Sequence, residues 1–150
     1  MADTAKEPTA LSFDTLRLAN VARLPHFKDS HGRPAHLKPD GSDWSLGEWA
    51  CAVLGELGEA ANIIKKINRG DLTLDMPSDK RALADELADT LIYLDILAFR
   101  AGIDLGQAVV AKWNRTSERV GYEGRISAAG FAIPYGFTDR EVVEASGGQT

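Results

Sequence analysis

Apolar residues recur every three or four positions over several stretches of the chain, the spacing of amphipathic α-helices. The clearest stripe is Leu46, Ala50, Val53, Leu57, Ala60, Ile64 and Ile67, which predicts a helix from Leu46 to about Asn68. Its start is marked by a capping box, Ser45 to Glu48, with Trp44 and Trp49 at the two positions of a hydrophobic staple. Gly70 stands just past its end. Upstream, Ser12 caps a helix that runs to about Leu24, where Pro25 stops it. Downstream, Pro77 and a cap at Ser78 open a helix from about Asp79 to Ala101, packed through Leu83, Leu87, Leu91, Leu94 and Ala98. The part from Leu91 to Phe99 is apolar almost all round, which requires burial on several sides, under the rest of the domain or under a partner subunit. A fourth helix starts at Asp104, with Gln107 as reciprocal partner in a capping box, and ends near Val120 before Gly121. Leu105, Ala108, Val109, Lys112, Trp113 and Thr116 share its inner surface, so Lys112 is expected to face inward. The pattern as a whole predicts an all-α fold, a four- to five-helix bundle completed by homo-oligomerisation.

Outside the helices the periodicity is lost. Residues 25–43 hold Pro25, Pro34, Pro39, Gly32, Gly41 and the three histidines His26, His31 and His36, a loop long enough to suggest function. Between Arg17 and Lys38 five bases (Arg17, Arg23, Lys28, Arg33, Lys38) face one acid, Asp29. Such a basic arm suits a polyanionic small ligand, and a solvated charged loop is an equal alternative. The expected organisation is a flexible 1–10, a helical domain at 11–122 and an irregular tail at 123–150 with a short helix starting near Thr138.

Composition narrows the function classes. With 150 residues, 44% hydrophobic and 26% charged, the chain is of ordinary globular make-up and one domain in length. A net charge of −5 argues against a nucleic-acid binder. Cys51 is the single cysteine, which excludes an internal disulfide and a cysteine-based zinc cluster. No apolar run is long enough to span a membrane, and Met1–Pro8 lacks the apolar core of a secretory leader, so a soluble cytoplasmic protein is expected.

The chemistry lies in pairs of acids. Four pairs spaced by three occur, Asp40/Asp43, Glu56/Glu59, Glu86/Asp89 and Glu141/Glu144, where the acid content yields about three by chance. Glu56/Glu59 and Glu86/Asp89 stand apart because each sits mid-helix on a partly apolar face. Residues three apart share a helical face, so two antiparallel helices would converge four carboxylates. Such a group needs protons or a cation. No histidine lies three after a glutamate, unlike a di-iron bundle, and an all-oxygen set favours Mg²⁺, with Mn²⁺ as a substitute. Mg²⁺ held by few carboxylates completes its shell with water and phosphate oxygens, so metal-assisted hydrolysis of a phosphoanhydride is the natural reaction class. The competing reading is a non-catalytic helical oligomerisation or regulatory domain in which the acid clusters are structural.

Gly55-Glu56-x-x-Glu59-Ala-Ala-Asn62 with Lys65-Lys66, then 26 residues, then Glu86-x-x-Asp89, resembles the MazG-like superfamily of all-α nucleoside triphosphate pyrophosphohydrolases. The stretch from Asp85 to Leu94, followed by Asp104-Leu105-x-Gln107-Ala108-Val109 and Lys112, resembles its dCTP-pyrophosphatase branch. The resemblance covers roughly residues 44–122. It implies cleavage of a (deoxy)nucleoside triphosphate to monophosphate and pyrophosphate in a homodimer or homotetramer. Glu56, Glu59, Glu86 and Asp89 match Mg²⁺ ligands, with Glu56 or Glu59 orienting the attacking water. Asn62, Lys65 and Tyr93 match positions near substrate, and Lys112 and Arg119 match bases that meet phosphates. Relatives carry an asparagine four residues after the matched lysine; this chain has Thr116 there, and Asn114 is the nearest candidate.

Overall fold

The computed structural model describes residues 11–127 and 130–132. The expected frayed start at 1–10 and the helix near Thr138 lie outside the described residues. The fold is all-α, with the helices where the apolar stripes place them: α1 (Phe13–Arg23), α2 (Leu46–Asn68), α3 (Pro77–Arg100) and α4 (Leu105–Arg119). The chain forms two compact units, one ending at Ile103 and the other beginning at Asp104.

In the first unit each helix end has a local cause. Capping boxes form at Ser12/Thr15 and at Ser45/Glu48. Trp44 and Trp49 meet with ring centroids 4.8 Å apart, as a staple requires. Gly70 takes φ 81°, closing α2 in the left-handed conformation that suits glycine. α3 begins two residues earlier than its periodicity suggests. Pro77 is its first helical residue, its fixed φ already helical and its missing N–H not needed there. Ser78 therefore lies inside the helix, its hydroxyl donating to Asp79 instead of capping.

α2 and α3 form an antiparallel pair. Trp49, early in α2, faces Tyr93, late in α3, while Glu56, two turns further along α2, meets Glu86 and Asp89. The fully packed interior is small: Trp49, Ala60, Ile96 and Ala98. Of the stretch expected to be buried under the domain or a partner subunit, Leu91, Leu94 and Phe99 remain about 40% exposed (41%, 38% and 39%) among the described residues, while Asp95, Ile96 and Ala98 are buried.

α1 docks on α3 through a polar clamp. Asp95 is fully buried, accepting from Arg17 Nε at 3.0 Å and from Asn20 Nδ2 at 3.0 Å, with Arg17 Nη2 2.8 Å away. The Arg17 guanidinium also lies 5.2 Å from the Phe99 ring centroid. A buried carboxylate is tolerated only with such partners.

The loop at 25–43 is built rather than loose. A 3₁₀ turn, Leu24–His26, continues α1, and two isolated antiparallel bridges follow, Lys28 with Pro34 and Leu37 with Asp43. Arg33 pairs with Asp29 at 2.8 Å and Lys38 with Glu48 at 2.9 Å, so two bases of the arm neutralise local acids. Arg100 of α3 anchors the loop through Asp43 at 2.8 Å.

In the second unit Asp104 caps α4 by accepting from the Gln107 backbone; the reciprocal half of the expected box does not form. The tail expected to be irregular from Gly121 contains a short hairpin, β1 (Arg125–Ser127) antiparallel to β2 (Gly130–Ala132), with Ile126 opposite Phe131. Three-residue strands carry too little alternation to be read from sequence.

Removing the Asp95 carboxylate leaves the Arg17 charge without its buried partner. Asp95→Ala is expected to cost roughly 3–5 kcal/mol in urea unfolding and to speed amide exchange in α1 more than in α2. Exchange rates in α1 matching those of the unaltered chain would contradict the clamp.

Candidate functional site

The site begins with carboxylates brought together by the α2–α3 pair. Oxygens of Glu56, Glu86 and Asp89 all lie within 4.8 Å of one another. Glu59, expected in the same group, lies outside it: its side chain is exposed one turn further along α2. Its charge nevertheless acts on Glu56. Burial pushes the Glu56 carboxyl above its usual 4.5, and the charges of Asp89, Glu59 and Glu86 push it further in the same direction. Three carboxylate donors at this separation suit a hard divalent cation bound through oxygen, and the raised affinity of Glu56 for a proton is what such a group has when none is bound.

Against the acids lies a cavity of about 200 Å³. Glu56 and Asp89 reach it from α2 and α3, and Tyr93 lies one turn beyond Asp89 on its wall. The Tyr93 phenol is pushed up by burial and then by the charges of Glu56 and Asp89, so it stays protonated beside them. The rest of the wall includes the rings of Phe27, His36, Trp44 and Trp49 together with apolar side chains such as Leu24, Ile92 and Ile96. Trp49 is central, with ring centroids 6.0 Å from His36 and 6.4 Å from Tyr93. The Arg100 guanidinium lies 5.7 Å from the Trp49 ring centroid. α1 contributes Asn20, held by Asp95, and Arg23. Arg23 lies over Phe27, 5.4 Å from its centroid, and has no carboxylate partner among the described residues.

The other expected site residues are distributed differently. Asn62 and Lys65 are exposed on α2 and do not line the cavity. Lys112, expected to face inward, is exposed, as is Arg119; the more enclosed side of α4 is formed by Leu105, Trp113 and Ser117. A lysine stem tolerates an apolar stripe while its ammonium reaches water. Asn114 spends its amide on strand β1, donating to the Ile126 carbonyl and accepting from the Ile126 N–H, both at 2.9 Å. That side chain acts as one more strand edge, which corrects the expectation that it is free for substrate. Asn20, Arg23 and His36 were not singled out from the sequence as site residues. Two of them left a signal there: Arg23 as one of the five bases of the basic arm, and His36 as a histidine in a Pro-rich loop shortly before two tryptophans.

No family model matches the chain. Among curated proteins it is similar to dCTP pyrophosphatase 1 of Mus musculus, 39% identical over 70 residues, which is 45% of this chain and 41% of that protein. The proteins of the same name from Rattus norvegicus and Homo sapiens are 36% and 37% identical over equal lengths. The chain thus spans less than half the length of the curated relatives it matches. These similarities support the expected relationship to the MazG-like superfamily.

In the absence of divalent cations the acid group should weaken the fold. Glu56 binds a proton more tightly in the folded chain than its usual 4.5 allows. Its stabilising contribution is therefore complete below the unfolded value and lost as pH rises through the folded one. In EDTA at neutral pH, Glu56→Gln is expected to melt at a higher temperature than the unaltered chain, with the difference vanishing near pH 4. A variant that melts lower at neutral pH would contradict the repulsion.

Proposed function

We propose that this chain is a metal-dependent nucleoside triphosphate pyrophosphohydrolase, cleaving a (deoxy)nucleoside triphosphate to the monophosphate and pyrophosphate. The observation that carries the reading is the placement of three carboxylates within 4.8 Å of one another at the edge of an aromatic cavity. Similarity to dCTP pyrophosphatase 1 adds independent support. Glu56, Glu86 and Asp89 would hold Mg²⁺, or Mn²⁺ in its place, with Glu59, whose charge acts on Glu56, as a further ligand. Bound there, the cation would supply charge neutralisation on the phosphates and a more acidic water.

The chain's own groups carry the remaining work. Glu56 or Glu59 orients the attacking water and accepts its proton, and burial already raises the proton affinity of Glu56. Tyr93, protonated and next to the acids, donates a hydrogen bond toward the sugar or the first phosphate. Arg23 places an unpaired guanidinium on the cavity wall for phosphate oxygens. Lys112 and Arg119, both exposed, are further cations available to an anionic ligand, and Asn62 and Lys65 take a supporting place on α2 after Glu59. The aromatic walls exclude water and receive the base.

We further infer a homodimer or homotetramer. Leu54, Leu57, Ile64, Leu87 and Leu91 of α2 and α3 are each more than 40% exposed, apolar side chains that a second copy of the chain would cover.

A pyrophosphate-release assay over a nucleotide panel, with and without Mg²⁺, tests the activity. Glu56→Gln and Glu86→Gln should each lower kcat by roughly 100-fold or more while the helical circular dichroism is kept. Full activity in both variants would remove the carboxylates from the mechanism. An absence of turnover with any nucleotide and any divalent metal would leave a non-catalytic helical assembly domain. Light scattering checks the assembly: Leu87→Arg should lower the mass of an oligomer, and a monomeric unaltered chain would contradict it.

A further inference from the structure

Two residues of the cavity wall each carry a buried polar atom without a hydrogen-bond partner among the described residues, His36 Nδ1 and Trp49 Nε1. Trp49 is 1% exposed and His36 9%. Buried indole and imidazole nitrogens are ordinarily paired, so two orphans on one small cavity call for a ligand. Neither is an accident of a loose segment. The His36 carbonyl accepts from the Trp44 N–H at 3.0 Å, Leu37 N–H donates to the Pro34 carbonyl at 2.9 Å, and Ala35 N–H to the Phe27 carbonyl at 2.9 Å. The backbone on both sides of His36 is satisfied while its ring nitrogen is not.

The position of the two groups fits the far end of a nucleotide. Trp49 precedes Glu56 by two helical turns, about 10 Å along α2, a separation on the scale of a nucleoside whose phosphates lie at the acids. Phe27, Trp44 and Tyr93 add ring faces beside them, with the Arg23 and Arg100 guanidiniums over the Phe27 and Trp49 rings. Burial pushes the His36 imidazole below its usual value, with the Arg100 and Lys28 charges acting in the same direction against Asp43. It is therefore neutral at pH 7 and keeps a lone pair on one nitrogen.

We propose that His36 and Trp49 are the base-reading residues of this cavity, the indole N–H donating to an acceptor on the edge of a nucleobase and His36 Nδ1 accepting from a neighbouring N–H of the same base. The loop at 25–43 then has a role that its charge pattern did not reveal: it delivers a neutral hydrogen-bonding group, with Arg33 and Lys38 tied to Asp29 and Glu48. This inference rests on the nucleotide reading of the site and goes beyond it by naming what distinguishes a nucleotide from a bare triphosphate.

The test uses the full chain. Trp49→Phe and His36→Phe keep a ring and remove the polar atom. Each should raise KM for the preferred nucleotide about tenfold, the worth of one hydrogen bond, with the loss falling on KM rather than kcat. In the unaltered chain, the Trp49 indole N–H resonance, assigned by its loss in Trp49→Phe, should move downfield on adding an α,β-imido nucleoside triphosphate with Mg²⁺. Inorganic tripolyphosphate should not move it. A resonance unmoved by a nucleotide that the enzyme hydrolyses, or moved equally by tripolyphosphate, would overturn the base-reading role and leave the hydrolase reading standing. Failure of the unaltered chain to hydrolyse any nucleotide would remove the hydrolase reading, and this inference with it.

Discussion

The mutual repulsion of Glu56, Glu86 and Asp89 is the constraint on which the rest of the site depends. Two helices that could have packed Leu against Leu along their whole length instead present acids to one another at one level. Burial, and after it this repulsion, raises the proton affinity of Glu56, and burial with the charges of Glu56 and Asp89 raises that of the Tyr93 phenol one turn away. A fold that keeps like charges together gives up stability at neutral pH, and a group with that property serves best when a cation offsets it. The neighbouring cavity gives the arrangement a direction. In the proposed reading, phosphates lie at the acidic end and the base lies against Trp49 and Trp44.

Other interactions hold this arrangement in place. The Asp95 clamp fixes α1 on α3 and so sets the wall that Asn20 and Arg23 contribute to the cavity. The Asp43–Arg100 pair ties the loop to the same helix, and Arg100 in turn covers the Trp49 ring. α3 thus bears two of the three converging acids together with the anchors of both α1 and the loop. Its length is shared between a polar side toward α1 and an apolar side that stays open at Leu91 and Leu94 among the described residues.

Much of this was legible in the sequence, for reasons that differ by residue. The helices announced themselves through stripes of period 3.6 and through Ser12, Ser45 and Asp104 at their starts, because caps and stripes are local. The convergence of Glu56 with Glu86 and Asp89 followed from an antiparallel pair joined by a short connection. Ser78 misled because Pro77 can begin a helix without a side-chain cap. Asn114 misled because its partner, the backbone of Ile126, lies in a hairpin too short to leave a pattern. Asp95 was readable in principle, a lone acid within an apolar stretch that demands a buried cation, yet nothing local says that the cation is Arg17, 78 residues away. His36 was visible as a residue and invisible as a group, since its burial depends on a loop fold set by tertiary contacts with α3.

The central claim is that the carboxylates and the triphosphate of a nucleotide meet at one cation. Electron paramagnetic resonance of Mn²⁺ added with an α,β-imido nucleoside triphosphate addresses it most directly. The account predicts Mn²⁺ bound to the chain with hyperfine coupling to phosphorus, and loss of that bound signal in Glu86→Gln. Mn²⁺ that binds with equal affinity in the variant, or that shows no phosphorus coupling in the unaltered chain, would contradict it.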